Sequence, residues 1–344
     1  MTITSSSVSW RRNLTVIWFT ELIAIVGFTV VIPILPLYIP ELGVQDEQKI
    51  RIWAGVIFSA HAVMMIFFAP LWGALSDRYG RKLMVARAML GGALVIGLMG
   101  LAQNVQQLTI LRALQGALTG TVTAANALVA ATAPRERLGY AMGLLQMAIY
   151  AGASAGPLLG GLIADTFGYR TTFWVTGALL FLSALGVLFF VQEEFISTPS
   201  EERAAAMTLR HRVWNYLAPV LTSSALLSVM AVRLLMRLGA RLLSPVLPLF
   251  IRDIAPSGAR VASITGVISG VSAAAGAAAS LGLGRLGDQV GYQRILIVCA
   301  MLSVACYTPQ FFVEDTTVLL FWQAGAGLAM GGILTALRAS LAQL

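Results

Sequence analysis

Stretches of about 20 apolar residues, enough to cross ~30 Å of hydrocarbon as helix, follow one another from one end of the chain to the other. They lie near 14–38, 52–72, 83–102, 107–131, 139–164, 171–191, 221–251, 261–283, 294–313 and 317–341. Inside lipid no water satisfies the backbone, and an isolated strand would leave its N–H and C=O groups unpaired, so each stretch must be a helix. An all-α membrane protein with ten passes is therefore predicted. Composition agrees, with 58% hydrophobic and 11% charged residues over 344 positions and a mean hydropathy of +0.82, outside the range of a soluble domain. The Trp10-Arg11-Arg12-Asn13 start faintly suggests an export signal, but its apolar stretch is too long and further spans follow, so it is predicted to remain as the first helix.

A net charge of +8 would suit a nucleic-acid partner, but the placement of the charges argues otherwise. With the N-terminus in the cytoplasm and the passes alternating, Arg11, Arg12, Arg78, Arg81, Lys82, Arg137 and further basic residues fall inside. The outer loops hold only Lys49, Arg51, Arg170, Arg252 and Arg260. That asymmetry reports membrane topology, and no nucleic-acid partner is expected. The polar stretch from Gln192 to Arg212 divides six passes from four. It marks residues 1–192 as a six-helix bundle, 193–213 as a cytoplasmic linker and 214–344 as a second bundle of four helices. Cys299 and Cys306 stand about 10 Å apart along one helix, too far for a mutual disulfide, and read as packing residues.

The heptapeptide PILPLYI at 33–39 returns as PVLPLFI at 245–251. Offset by one residue less, Gly73 falls on Gly284, Asp77 on Asp288, Gly80 on Gly291, Gly116 on Gly327 and Gly120 on Gly331. The chain is thus an internal duplication of a multi-helix unit. Because six passes precede the linker, both copies start on the same side, and the two halves are expected to be related by an axis along the membrane normal, with a site between them near mid-membrane. Leu344 maps onto Ala133, so the second copy is expected to lack counterparts of the last two helices of the first.

Three motifs stand out. GALSDRYGRK, Gly73 to Lys82, reads as a turn between the second and third passes. There Gly73 permits close helix approach, Asp77 can accept from the exposed N–H groups of a facing helix N-terminus, and Arg78, Arg81 and Lys82 meet headgroups or acidic partners. With Gly80 and the repeat mates Gly284, Asp288 and Gly291 it forms a candidate conformational latch. In LRALQG, Arg112 lies inside the fourth pass, where an arginine costs ~2.5–3.5 kcal/mol and needs a wet or paired setting. It serves either coupling or the bonding of backbone carbonyls. In GASAGPLLGG, Gly152, Gly156, Pro157, Gly160 and Gly161 build a smooth, kinked surface for close helix packing.

These motifs resemble those of the major facilitator superfamily, and within it the drug:proton antiporter branch of twelve helices. The resemblance covers the whole chain. It implies a major facilitator fold of two pseudo-symmetric bundles and a monomer in the bacterial inner membrane. It also implies outward transport of small amphipathic drug-like compounds in exchange for protons by alternating access. By resemblance, the fifth-pass motif is an outer seal specific to antiporters, passes one, four, seven and ten line the cavity, and passes two and five meet eleven and eight. A metabolite symporter and a non-transporting remnant are the alternatives, the first disfavoured by the fifth-pass motif and the second favoured by the missing helices.

Glu21 lies near mid-membrane in the first pass, and its repeat mate is Arg233, followed by Arg237 and Arg241 at four-residue steps on one helix face. An acid and a base are expected to face each other across the cavity, with Glu21 as the proton-titrating or substrate-sensing group and Arg112, Arg233 and Arg237 around it. The alternative for the arginines is outward snorkelling to headgroups. His61 reads either as a proton relay or as a packed neutral imidazole. Nothing resembles a metal cluster, a phosphate loop or a hydrolytic triad, so neither an enzyme nor a metal or cofactor is predicted. The sign of the substrate's charge stays open.

Overall fold

The computed structural model describes residues 10–193 and 224–343, and the stretch read as the linker lies outside the described residues except for Glu193. The described residues are helical throughout, joined by short turns. In order they form α1 (Trp10–Val31), α2 (Leu35–Tyr38), α3 (Glu47–Tyr79), α4 (Arg81–Met99), α5 (Val105–Leu118) and α6 (Thr121–Thr132). Then come α7 (Leu138–Phe167), α8 (Tyr169–Phe190), α9 (Ser224–Ile254), α10 (Val261–Val290), α11 (Tyr292–Tyr307) and α12 (Thr316–Gln343).

Eight of these helices are individually long and apolar enough to cross a bilayer. The two other predicted passes are present in altered form. The fourth is divided into α5, of 14 residues, and α6, of 12, by a break at Thr119 and Gly120, where a single helix was expected. The seventh lies in α9, whose apolar stretch is interrupted by Arg233, Arg237 and Arg241.

The first pass also ends earlier than its apolar run. α1 stops at Val31, and Pro33 brings a turn before α2, as expected where a ring replaces the amide and disfavours helix in the residue before it. The repeated heptapeptide behaves differently, for Pro245 and Pro248 sit inside the continuous α9. The motif expected to be a turn is itself mostly helical: α3 runs to Tyr79, α4 begins at Arg81, and Gly80 alone turns the chain at φ 92°. Its repeat mate Gly291 does the same between α10 and α11 at φ 91°, a left-handed backbone that a side chain would strain.

The helices form two compact units. Of the described residues, one unit holds 10–31, 39–152 and 168–193, and the other 32–38, 153–167 and 224–343, so α7 contributes its first half to one and its second half to the other. In the first, α4 packs on α8, α3 on α5, and α1 on α8 and α6, around Ile17, Met89, Ile96, Phe173 and Leu180. Small residues bring backbones together here, as where Gly177 of α8 lies against the Ala93 carbonyl of α4. In the second, α10 and α12 cross at Gly276, Gly327 and Gly331, and α11 packs on α12 through Cys299 and Ile333. Both cysteines are free and buried. Ile297, Met301, Phe311 and Phe321 stay exposed, an apolar surface suited to lipid.

Candidate functional site

In the first unit, polar groups collect where the fourth pass breaks. Glu21 of α1 is fully buried. The side chain of Thr121, the first residue of α6, lies beside its carboxyl, and neither carboxyl oxygen meets full hydrogen-bond geometry with any described residue. Arg112 of α5 is also buried, at 5% exposure, but it does not pair with Glu21. Its Nη1 donates to Gln115 Oε1, and its guanidinium stands 5.6 Å from the Phe58 ring centroid. α5 lies so close to α3 that a Cβ on Gly116 would stand 2.1 Å from the His61 carbonyl oxygen. His61 thus lies at a close approach of these two passes.

Two residues at this break were not singled out from the sequence. Trp72 Nε1 donates to the Ala117 carbonyl at 2.6 Å, and Arg87 Nη1 donates to the Leu118 carbonyl at 3.0 Å. The Arg87 guanidinium lies 3.4 Å over the Trp72 ring. An arginine within an apolar helix is the signal that could have pointed there. The side chains of Arg233, Arg237 and Arg241 lie outside the described residues, so their expected opposition to Glu21 has no geometry here.

At the α3–α4 corner, Gly73 meets open space and Arg78 lies 5.4 Å over the Tyr79 ring. The side chains of Asp77 and Asp288 and the surroundings of Gly284 lie outside the described residues. The amides of Arg81 and Lys82, at the half-buried start of α4, donate to Glu193 Oε1 and Oε2 at 3.0 and 2.7 Å. Gly80 has no side chain with which to cap that helix, and Glu193 fills the role from beyond α8. The preceding residue is tied as well: Asn13 Nδ2 donates to the Gln192 carbonyl at 2.6 Å and the Gln192 amide returns to Asn13 Oδ1 at 3.0 Å. Sequence reading assigned Glu193 only to a linker.

The fifth-pass motif contributes to both units. Within the first, a Cβ on Gly152 would stand 2.9 Å from the Ile25 side chain, and Thr29 Oγ1 donates to the Gly152 carbonyl at 3.1 Å. Within the second, the later half of α7 is laced to the start of α10. A Cβ on Gly161 would stand 2.2 Å from the Ala262 carbonyl oxygen, and one on Gly266 would stand 2.2 Å from that of Pro157. Ser154 Oγ donates to the Gly270 carbonyl at 2.9 Å, and the Ser263 amide donates to Asp165 Oδ2 at 2.6 Å. Contacts at 154, 157, 161 and 165 on one helix and 262, 266 and 270 on the other follow the three-to-four-residue step of a helix face. Gly156 and Gly160 are buried as well.

A cavity of about 590 Å³ lies between the starts of α1 and α7, bordered by Trp10, Arg11, Leu14, Trp18, Arg137 and Tyr140. Its lining is largely aromatic and aliphatic and includes the cations Arg11 and Arg137.

The sequence pattern of the Major Facilitator Superfamily matches residues 17–343. The chain belongs to the major facilitator superfamily. It is a multi-pass membrane transporter, not an enzyme. Among curated relatives, it is 37% identical over 334 residues to the multidrug resistance protein MdtG of Salmonella paratyphi A, covering 97% of this chain and 81% of that protein. To MdtG of Klebsiella pneumoniae strain 342 it is 37% identical over 341 residues, covering 99% of this chain and 81% of the relative. A bacterial homologue of the human lysosomal transporter Spinster, inward-facing and occupied, shares the fold at TM-score 0.73 and 17% identity, over 94% of this chain and 72% of that one. The same homologue inward-facing and unoccupied matches at TM-score 0.72 and 16% identity, over 96% and 74%.

Proposed function

We propose that this chain exports small amphipathic compounds through the bacterial inner membrane in exchange for protons, by alternating access, with its N-terminus in the cytoplasm. The substrate class rests on the likeness to multidrug resistance proteins across 97% of the chain. The proton role rests on one observation: Glu21 is fully buried within α1 with the Thr121 side chain beside its carboxyl, and neither carboxyl oxygen meets full hydrogen-bond geometry with a described residue. A carboxyl buried in this way responds to its surroundings: an approaching cation or N–H donor favours the carboxylate, and its withdrawal favours the acid, which is what a proton-coupled site needs.

The remaining parts follow from chemistry. Arg112, with Arg233 and Arg237, supplies the positive potential that a carboxylate state needs. The fifth-pass motif is the outer seal: Gly156, Pro157, Gly160 and Gly161 lie on the part of α7 laced to α10, and Gly152 lets α7 approach α1. The corner containing Gly73, Asp77, Arg78, Gly80, Arg81 and Lys82, with Gly284, Asp288 and Gly291, is the inner latch. The aromatic cavity at the start of α1 gives an amphipathic compound apolar rings and a polar rim. Purified protein in sealed vesicles, given an inward-directed proton gradient and a panel of cationic, neutral and anionic drugs, tests the reading. Drug accumulation against its gradient, abolished by a protonophore, is expected; its absence for every compound overturns the proposal.

A further inference from the structure

Were the fourth pass continuous, the amides of Thr121 and Val122 would donate to the carbonyls four residues earlier, those of Ala117 and Leu118. These are the two carbonyls engaged from other helices, by Trp72 of α3 and Arg87 of α4. The two donors brace each other, since the Arg87 guanidinium rests on the Trp72 ring. Helical bonding ends with the Thr119 amide on the Gln115 carbonyl and resumes with the Ala124 amide on the Gly120 carbonyl. Between them Gly120 adopts φ +140°, a conformation that a residue with a Cβ rarely enters.

We infer that Trp72 and Arg87 are positioning residues of the transport cycle, holding the fourth pass broken in this state and letting it become one continuous helix when they withdraw. Continuity would restore four amide bonds, those of residues 120–123, and two of them, from Thr121 and Val122, compete for the carbonyls that Trp72 and Arg87 now hold, so release of those donors and closure of the pass are linked. The break leaves the first amides of α6 without carbonyl partners of their own helix, at a residue that adjoins the Glu21 carboxyl. A helix N-terminus favours the carboxylate; the continuous helix withdraws those amides and favours the protonated acid. Of the helices packed on α1, α6 holds no titratable side chain, α8 holds Tyr169 and Arg170 at its start, α7 holds Tyr140, Tyr150 and Asp165, and α4, which meets Phe28 at Gly92, holds Arg81, Lys82 and Arg87. Arg87 and Trp72 thereby couple the shape of the fourth pass to the protonation of Glu21, an inference that rests on the proton role proposed above.

Amide hydrogen exchange on the full 344-residue protein in lipid nanodiscs tests it, read at residues 121–123. Arg87→Met and Trp72→Phe are each expected to slow exchange there about tenfold, while Arg87→Lys, which keeps a donor, exchanges like the parent. Gly120→Ala strains only the broken form and should also slow exchange, with both donors in place. Unchanged or faster exchange at 121–123 in Gly120→Ala and in either donor variant overturns the inference. A variant that unfolds exchanges faster in α8 too, and Gly120→Ala then decides. In vesicles, Arg87→Met is expected to shift the pH at which efflux is half-maximal, where mere loss of packing lowers the rate at every pH. Failure of the parent protein to export any drug sinks the proposed function and leaves the amide result standing.

Discussion

Gly161 of α7 lies so near Ala262 of α10 that a Cβ would stand 2.2 Å from the Ala262 carbonyl oxygen. Backbone cannot yield as a flexible side chain does, so Gly161→Ala should push the helices apart and Gly161→Leu should prevent the contact. Both proteins are expected at normal levels in the membrane with drug efflux lost in the second. Gly143, earlier on α7, meets nothing within 4 Å, and Gly143→Ala is the matched control with efflux retained. Normal efflux from Gly161→Leu at equal expression removes the sealing role.

Asp165 makes the outer polar tie of the same pair. α10 has Arg260 at its N-cap with no side-chain cap, and the Ser263 amide finds its acceptor in Asp165. Asp165→Ala should cost about 1 kcal/mol, the usual worth of a cap, and Asp165→Asn less. Because the tie bridges two helices, the expected signature is greater labelling of a cysteine placed at residue 262 by an impermeant thiol reagent from outside. Equal labelling in Asp165→Ala and its parent contradicts it.

Gly116 presses on the His61 carbonyl, and its substitution tests packing rather than transport. Gly116→Ala should destabilise the protein by about 1–3 kcal/mol through overpacking, seen as a lower melting temperature in detergent. Gly97→Ala, with open space around it, should leave melting unchanged or slightly raised. Equal melting for the two variants would show that α3 can move aside without cost.

The passes were readable because length and apolarity alone decide what crosses a bilayer, and the Gly80 and Gly291 corners were readable because a repeat reports both copies together. What escaped was decided by residues distant in sequence. Gly120 lies within one long run read as a single pass, and the donors that hold the carbonyls just before it, Trp72 and Arg87, come from two other helices. Pro33 interrupts a helix while Pro245 and Pro248 do not, so proline alone does not locate a break. Glu21 was visible as an acid in mid-span, but its proximity to Thr121 depends on the break that was not foreseen. Glu193 had no motif at all, because a capping carboxylate is defined by the amides that it meets.

Glu21→Gln is the substitution that separates a proton carrier from a structural acid. Glutamine keeps nearly the same volume and fits beside Thr121 as the carboxyl does, so packing around α1 changes little. Glu21 makes no ion pair with Arg112, and its substitution leaves Arg112 on Gln115 as before. Folding stability is therefore expected to fall by no more than about 1 kcal/mol, where breaking a buried ion pair typically costs 3–5. Transport should divide in two. Exchange of labelled drug for unlabelled drug, which needs alternating access but no net proton movement, should persist. Accumulation driven by a pH gradient should vanish, because a glutamine carries no proton to release, and the remaining exchange should lose its dependence on pH. Measured side by side in the same vesicles, loss of accumulation with retained exchange supports the proton role. Loss of both, with a markedly lower melting temperature, marks Glu21 as structural. Full gradient-driven accumulation by Glu21→Gln removes it from the proton path, and Arg112 with His61 then becomes the place to look.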